Sequence, residues 1–155
     1  LPHDYISIAI GGEWDYRTYN KWDEVIRILI DGNRNLQIAL VGSANALSVA
    51  RELLEKIPSN NIFDCVDKFS FIQTAEIINK SKILLCCDGG LMHAANSVDT
   101  PILALFARLN TSMQLTKVIN SFSLYDDHNV NGIEVKNIIQ GYFSFINSDN
   151  NHPQV

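Results

Sequence analysis

Five short apolar runs, each followed by a segment with helical spacing, constrain the fold of this chain more than any other feature. Residues 83–87 form a continuous apolar run of the kind found in a parallel strand covered on both faces, and a second run occupies residues 101–106. Strands that alternate with helices imply right-handed crossovers and a parallel sheet. The pattern predicts a Rossmann-like, three-layer α/β domain with a parallel sheet of five to six strands and helices on both faces.

The spacing also predicts the bounds of these elements. Strands are expected at residues 5–10, 36–41, 61–66, 82–87 and 102–106, with a short edge strand at 123–125. Helices are expected at 22–30, 46–57, 70–79, 91–97, 111–122 and 135–146. The domain should cover residues 1–147, followed by a disordered polar tail at 148–155. Because the chain begins at Leu1 and enters a strand almost at once, we interpret it as a piece of a longer protein.

One strand-to-helix turn has the composition of an anion site. Asp88, Gly89 and Gly90 follow the strand at 82–87, and His93 should lie about one turn into the next helix. In an open α/β sheet, ligands bind beyond the carboxyl ends of the strands, where a helix N-terminus presents unpaired N–H groups. Glycine lacks a Cβ, so a phosphate can approach its backbone and unusual dihedrals are allowed. A structural interpretation is also open: a tight turn, an Asp88 N-cap and a hydrogen-bonded core histidine.

The same residues resemble a known family signature. Asp88-Gly89-Gly90-Leu91-Met92-His93-Ala94-Ala95 is similar, in order and spacing, to the D-S/T/G-G-P/L-M-H-x-A signature of glycosyltransferase family 9, the lipopolysaccharide heptosyltransferase group. Residues 100–106 resemble the strand that follows it in that family. Leu91 stands where proline is commoner, and Ala107 stands where the family's strand usually ends in glycine.

This resemblance implies a fold and an activity. Family enzymes have two Rossmann-like domains facing across a cleft, the GT-B arrangement, and this chain resembles the C-terminal, donor-binding domain. The implied reaction is inverting, metal-independent sugar transfer, plausibly of heptose from an ADP-linked donor, to a lipopolysaccharide-type or other glycan or lipid-linked glycan acceptor bound through a missing N-terminal domain. The donor is a substrate, and no cofactor is implied. The isolated domain is expected to be inactive.

The resemblance also suggests roles for individual residues. Residues 88–93 would bind the donor, and Gly12 and Arg17 look like the family's Gly-rich strand end followed by a basic residue. Arg17 would contact the diphosphate, for which a guanidinium fork is well suited, and with His93 it would stabilise the leaving group. The alternative for Arg17 is a solvated surface position.

A second turn, Asp67-Lys68-Phe69-Ser70, matches the family's Gly-Lys-x-Ser, with Asp67 in place of glycine. Lys68 would lie near phosphate or ribose, and Phe69 near the base. Structurally, Ser70 as a helix N-cap and Phe69 as a core residue would explain this turn without a ligand.

Composition excludes several partners and sites. The net charge is −5 and no basic run occurs, so nucleic acid is an unexpected partner. The three cysteines lie in apolar segments and should be reduced and buried, and no metal-ligand spacing is present. The dinucleotide fingerprint is missing, which disfavours nicotinamide or flavin. No apolar stretch is long enough to span a membrane, so we expect a cytoplasmic protein, peripheral to the inner face of the bacterial inner membrane at most.

Two other functions remain open on the sequence. The chain fits a non-catalytic module that binds a nucleotide sugar or another protein. It also fits a domain of a GT-B-like sugar-nucleotide epimerase, which likewise holds a diphosphate at helix N-termini.

Overall fold

The structure, a computed structural model, describes residues 1–108 and 121–150. The strands in this part of the chain are β1 (Ile6–Ala9), β2 (Ile38–Val41), β3 (Ile62–Asp64), β4 (Leu84–Cys87), β5 (Ile102–Ala107) and β6 (Phe122–Asp126). The α-helices described are α1 (Trp22–Gly32), α2 (Leu47–Lys56), α3 (Phe71–Lys80), α4 (Gly90–Ser97) and α5 (Val135–Asn150). Short 3-10 turns occur at Asp15–Arg17, Ala44–Ala46 and Val130–Gly132.

The described strands form one parallel sheet in the order β3-β2-β1-β4-β5-β6. This is the doubly wound order in which the chain direction across the sheet reverses between β1 and β4. The predicted Rossmann-like α/β fold is therefore confirmed. The reversal matters for function, because the connections leaving β1 and β4 go to opposite faces of the sheet and leave a crevice between them.

Two apolar layers cover the sheet, one on each face. The layer under α1, α2 and α5 includes Trp22, Ile26, Leu53, Ile138 and Phe145, and the layer under α3 and α4 includes Ile77, Ile78, Met92, Ala95 and Phe106. All residues of β1, β2, β4 and β5 are buried, which is why these strands read as continuous rather than alternating apolar runs. All three cysteines are free and buried, as the sequence predicted.

Two predicted elements differ from the structure. Helix α5 continues to Asn150, so residues 148–150 are helical and the tail predicted to begin at 148 was wrong there; residues 151–155 lie outside the described residues. Adding a residue to an existing helix needs only one more residue to be ordered, so a packed helix extends into a polar end that would not form one alone. The helix predicted at 111–122 falls almost entirely outside the described residues, and its last residue, Phe122, begins β6.

Helix α3 begins with a complete capping box. The Gln73 N–H donates to Ser70 Oγ at 3.1 Å, and the Ser70 N–H donates to Gln73 Oε1 at 2.9 Å. We expect Ser70→Ala to lower the free energy of unfolding by about 1 kcal/mol, because the Gln73 N–H loses its side-chain acceptor. Chemical denaturation measures this, with Ser48→Ala, an exposed serine of α2, as the control that should not lose stability. Equal effects of the two changes would contradict the capping role.

Among the described residues, no helix combines the length and apolarity needed to cross a bilayer.

Candidate functional site

A cleft of about 520 Å³ lies at the carboxyl ends of β1 to β4, beside the reversal of strand order. The segments that follow these four strands form its walls, so residues far apart in the sequence meet there. From the predicted set, Gly12, Arg17, Phe69 and all of residues 88–93 line the cleft. The structure thus brings together nine of the ten predicted binding residues.

The start of α4 forms one wall of the cleft. A Cβ placed on Gly89 or on Gly90 would meet no atom within 4 Å. Gly89 has φ 167° and ψ −173°, an extended backbone that any residue adopts, so the expectation of unusual dihedrals here was wrong. Neither packing nor backbone geometry within the described protein requires these two glycines, and the space beside them is free for a ligand.

Asp88 and Arg17 face each other in the cleft. Arg17 Nη1 lies 3.5 Å from Asp88 Oδ2, and their side chains are 27% and 6% exposed. Asp88 does not cap α4, whose N-cap is Gly89 without a side-chain cap bond. The pair is long and partly exposed, which makes its own stabilising effect small. A more highly charged anion could therefore compete for the guanidinium.

Tyr16 positions the Arg17 guanidinium. Arg17 Nε donates to the Tyr16 hydroxyl at 3.2 Å, and the Arg17 Cζ lies 5.4 Å from the centre of the Tyr16 ring. Arg108, at the end of β5, places its own Cζ 4.0 Å from the same ring centre and donates through Nε to the carbonyl of His128 at 2.8 Å. Arg17 is therefore not a freely solvated surface residue.

The loop that carries Arg17 is tied to the segment between β6 and α5. Asn131 Nδ2 donates to the carbonyl of Thr18 at 2.9 Å, and Asn131 Oδ1 accepts the Asn20 N–H at 2.8 Å. The Tyr19 hydroxyl donates to the carbonyl of Ile133 at 2.9 Å. Gly12 lets the same loop pack closely against it, because a Cβ at Gly12 would collide with Thr18 Oγ1 and come within 3.1 Å of the Arg17 carbonyl oxygen.

His93 lies one turn into α4, with an exposed side chain on the cleft. Its imidazole makes no hydrogen bond to other residues in the described ranges, so the interpretation as a hydrogen-bonded core histidine was wrong. Met92 is fully buried in the layer under α4, and Leu91 packs partly against that layer. Met92 could therefore contact a ligand in the cleft through its backbone N–H rather than its thioether.

In the turn after β3, Phe69 lies where it was predicted to lie and Lys68 does not. Phe69 lines the cleft and is 47% exposed, so it is not a core residue. Lys68 does not line the cleft, and its Nζ lies 3.2 Å from Asp64 Oδ2. The carboxylate of Asp64, the last residue of β3, thus holds the ammonium outside the cleft.

Sequence reasoning missed several cleft residues, among them Trp14, Asn45, Phe71 and Thr74. Phe71 is 61% exposed and Trp14 is 55% exposed, which is unusual for aromatic side chains outside a binding surface. The sequence contains only weak indications that these two residues line a cleft. Trp14 belongs to a long loop after β1, and Phe71 directly follows the N-cap of α3.

Burial suppresses ionisation of the groups beneath the cleft. It raises the pKa of Cys87, a cleft residue at the end of β4, to about 12, and raises the pKa of Cys86 well above its usual value. Burial likewise raises the pKa of Tyr19 to about 12. The thiols are therefore protonated near neutral pH and unsuited to act as nucleophiles there.

These shifts predict loss of stability at alkaline pH. A raised pKa means that the folded state binds the proton more tightly than the unfolded state does. The contribution of each protonated group to folding stability is therefore complete below its ordinary pKa, 9.0 for cysteine and 10.0 for tyrosine. Stability should then fall as the pH rises from about 9 toward 12. Melting temperatures measured from pH 7 to 11 test this, and Cys87→Ala should show a shallower decline. A flat profile to pH 11 would contradict the buried, protonated state.

In the part of the chain that the structure describes, no group of three or more His, Cys, Asp or Glu side chains is arranged to hold a metal ion.

Solved structures that are similar to this fold include the following three. E. coli ADP-heptose LPS heptosyltransferase II aligns with a TM-score of 0.83 at 18% identity, over 96% of this chain and 48% of that one. A family 9 glycosyltransferase from Veillonella parvula aligns with a TM-score of 0.82 at 15% identity, over 96% and 48%. E. coli heptosyltransferase WaaC with ADP aligns with a TM-score of 0.80 at 16% identity, over 91% and 44%. The chain thus spans about half the length of these proteins.

Similarity at this level of identity establishes the fold, and the family rests on the sequence match. No curated protein sequence matches the chain closely enough to indicate a relationship. The model of glycosyltransferase family 9 (heptosyltransferase), however, matches residues 1–132, which is most of the chain. The chain therefore belongs to glycosyltransferase family 9.

Proposed function

We propose that this chain is the donor-binding domain of a glycosyltransferase, and that the start of α4 holds the diphosphate of a nucleotide sugar. The observation that carries the proposal is the open space beside Gly89 and Gly90, next to the Arg17–Asp88 pair. Nothing in the described protein requires glycine at these positions, whereas close approach of a phosphate to the backbone does.

The backbone of α4 supplies the donors. The first bond of the helix runs from the His93 N–H to the Gly89 carbonyl at 3.3 Å. The N–H groups of Gly90, Leu91 and Met92 precede it and have no acceptor within the helix. Together with the positive end of the helix dipole, they form an anion site at the cleft wall.

Arg17 supplies the compensating charge. The protein carries a net charge of −5, so an anionic donor must be held by local groups rather than by the overall field. The guanidinium lies at the same wall and is partly exposed, and it can form paired hydrogen bonds with phosphate oxygens. Asp88 keeps it oriented in the free protein and is then available to a hydroxyl of the ribose or sugar.

The reaction proposed for the whole enzyme is sugar transfer with inversion and without a required metal. The acceptor hydroxyl would bond to the anomeric carbon of the sugar and lose its proton to a base outside this chain. The bond from that carbon to the diphosphate breaks at the same time, so negative charge grows on the departing diphosphate. The α4 N–H groups, Arg17 and His93 would stabilise that charge, which is electrostatic rather than base catalysis. An N-terminal domain would bind the acceptor, a lipopolysaccharide-type or other glycan, at the cytoplasmic face of the membrane. Without it, the chain should bind nucleotide but not transfer sugar.

We favour an ADP-linked donor, specifically ADP-heptose. Two of the similar structures are named for such ligands, an ADP-heptose LPS heptosyltransferase and a heptosyltransferase with ADP. The family match to heptosyltransferases supports the same assignment over an epimerase.

Calorimetric titration of the 155-residue chain with ADP, UDP and GDP tests the proposal. We expect ADP to bind most tightly. His93→Ala should weaken ADP binding by about three- to tenfold, because it removes one hydrogen bond from an exposed imidazole to phosphate. His128→Ala is the control, since His128 lies outside the cleft lining. Absence of binding for all three nucleotides would overturn the donor-site assignment and favour a non-catalytic interaction module.

A further inference from the structure

We propose that Asp67 selects the base of the nucleotide, by accepting a hydrogen bond from an exocyclic amino group. This inference rests on the proposed function, because it requires a diphosphate at the start of α4. It assigns a specificity role to a residue that neither the phosphate site nor the fold requires.

The position of Asp67 follows from the shape of the cleft. Residues after β1, β2, β3 and β4 line it, so it extends from α4 across the sheet toward β3. Neighbouring strands are about 4.8 Å apart, so three spacings place the end of β3 roughly 14 Å from the end of β4. A nucleotide with its phosphates at α4 must therefore lay its nucleoside toward β3. Asp67 lines that end, where its N–H donates to the Gly42 carbonyl at 2.9 Å.

Aromatic side chains make the same end suitable for a base. Phe69 and Phe71 both line the cleft and are 47% and 61% exposed. Flat apolar faces of this kind stack on nucleobases, but they offer a phosphate no hydrogen-bond donor and no positive charge. The uncharged end of the ligand therefore belongs beside Asp67.

The backbone conformation of Asp67 suits an aspartate. Its φ is 55°, in the left-handed region, which aspartate tolerates better than most residues that carry a Cβ. Asp99 has a similar φ of 59° outside the cleft lining, so this conformation does not by itself indicate a ligand. The feature particular to Asp67 is that its side chain is exposed at the cleft.

The charges around Asp67 leave its carboxylate without a partner. It makes no hydrogen bond or ion pair with any residue in ranges 1–108 and 121–150, and the adjacent Lys68 pairs instead with Asp64. Asp88, by contrast, is balanced by Arg17. An unbalanced carboxylate repels phosphate and attracts neutral N–H donors, which fits a group that contacts the base.

The Asp67 carboxylate would discriminate between nucleobases by their hydrogen-bonding groups. An ionised carboxylate only accepts hydrogen bonds. Adenine and cytosine carry an amino group where hypoxanthine and uracil carry a carbonyl oxygen, so the first two donate and the last two repel. ADP and IDP therefore differ at the group that Asp67 reads, and so do CDP and UDP, with ring size unchanged within each pair.

The test is calorimetric titration of the full chain with ADP, IDP, CDP and UDP. We expect ADP to bind at least about tenfold more tightly than IDP, and CDP than UDP by a similar factor. Asp67→Asn should bring both ratios within about threefold, because an amide donates as well as accepts. Asp67→Gly should do the same with a melting temperature no lower than that of the unchanged protein, since glycine suits this φ.

Asp99→Asn is the matched control. Asp99 is exposed and has a similar φ of 59°, and its substitution removes one negative charge outside the cleft lining. Its nucleotide ratios should stay as in the unchanged protein. Unchanged ratios in Asp67→Asn, with ADP still bound, would overturn the role of Asp67 alone. Failure of the unchanged protein to bind any of the four nucleotides would overturn the proposed function and this inference with it.

Discussion

Replacing Arg17 by alanine should weaken ADP binding by about 10- to 100-fold, the loss expected for charge-assisted hydrogen bonds to phosphate. The guanidinium is a positive group at the cleft wall that Tyr16 already orients, through a 3.2 Å hydrogen bond from Arg17 Nε. Its removal also leaves Asp88 uncompensated beside the incoming diphosphate. Titration calorimetry at moderate ionic strength measures the change.

Two variants separate the possible causes of that loss. Arg17→Lys keeps the charge but loses the planar fork, and should recover only part of the affinity. Arg27→Ala removes a positive charge from α1, where Arg27 donates to the Lys56 carbonyl at 3.2 Å, and should leave ADP binding almost unchanged. If Arg27→Ala and Arg17→Ala weakened binding equally, the effect would be one of net charge and the local role of Arg17 would be wrong.

Replacing Gly90 by alanine should make the protein slightly more stable and a poorer ligand binder. Gly90 is the first residue of α4 and a Cβ there meets no protein atom within 4 Å, so the helix gains up to about 1 kcal/mol from alanine's higher propensity. The same methyl group would occupy space proposed for a phosphate, and ADP affinity should fall by at least about tenfold. Melting temperature and calorimetry, measured on the same sample, report the two effects.

Gly32→Ala is the matched control for this substitution. Gly32 ends α1 away from the cleft, and a Cβ there would meet only Phe143 Cζ at 3.9 Å, an ordinary contact. It should stabilise the protein without changing ADP affinity. A Gly90→Ala protein that bound ADP normally would show that the space beside α4 is not where phosphate lies.

The sequence predicted the fold well because local and global signals agree. The buried strands of a doubly wound sheet are continuous apolar runs, the intervening helices have apolar residues at helical spacing, and α3 also has a complete capping box at Ser70. The end of α5 was misjudged, because residues 148–150 are polar and their order depends on the packed helix before them.

The site was predicted most completely where one stretch of sequence contains it. Residues 88–93 are contiguous, so their shared position on the cleft followed from a single strand-to-helix turn. Lys68 was misplaced because the competing partner, Asp64, is itself a local residue whose rotamer no pattern reveals. The exposure of Phe71 and the contact of Arg108 with Tyr16 depend on tertiary packing.

The ties between Asn131 and the loop that carries Arg17 have a thermodynamic consequence. Asn131 bonds to Thr18 across 113 positions of the sequence, and to Asn20 beside it. The conformational entropy of that loop is therefore lost when the chain folds rather than when a ligand arrives. The guanidinium is preorganised by residues from the far end of the domain, so affinity at this cleft depends on the integrity of β6 and α5, which contribute no wall to it.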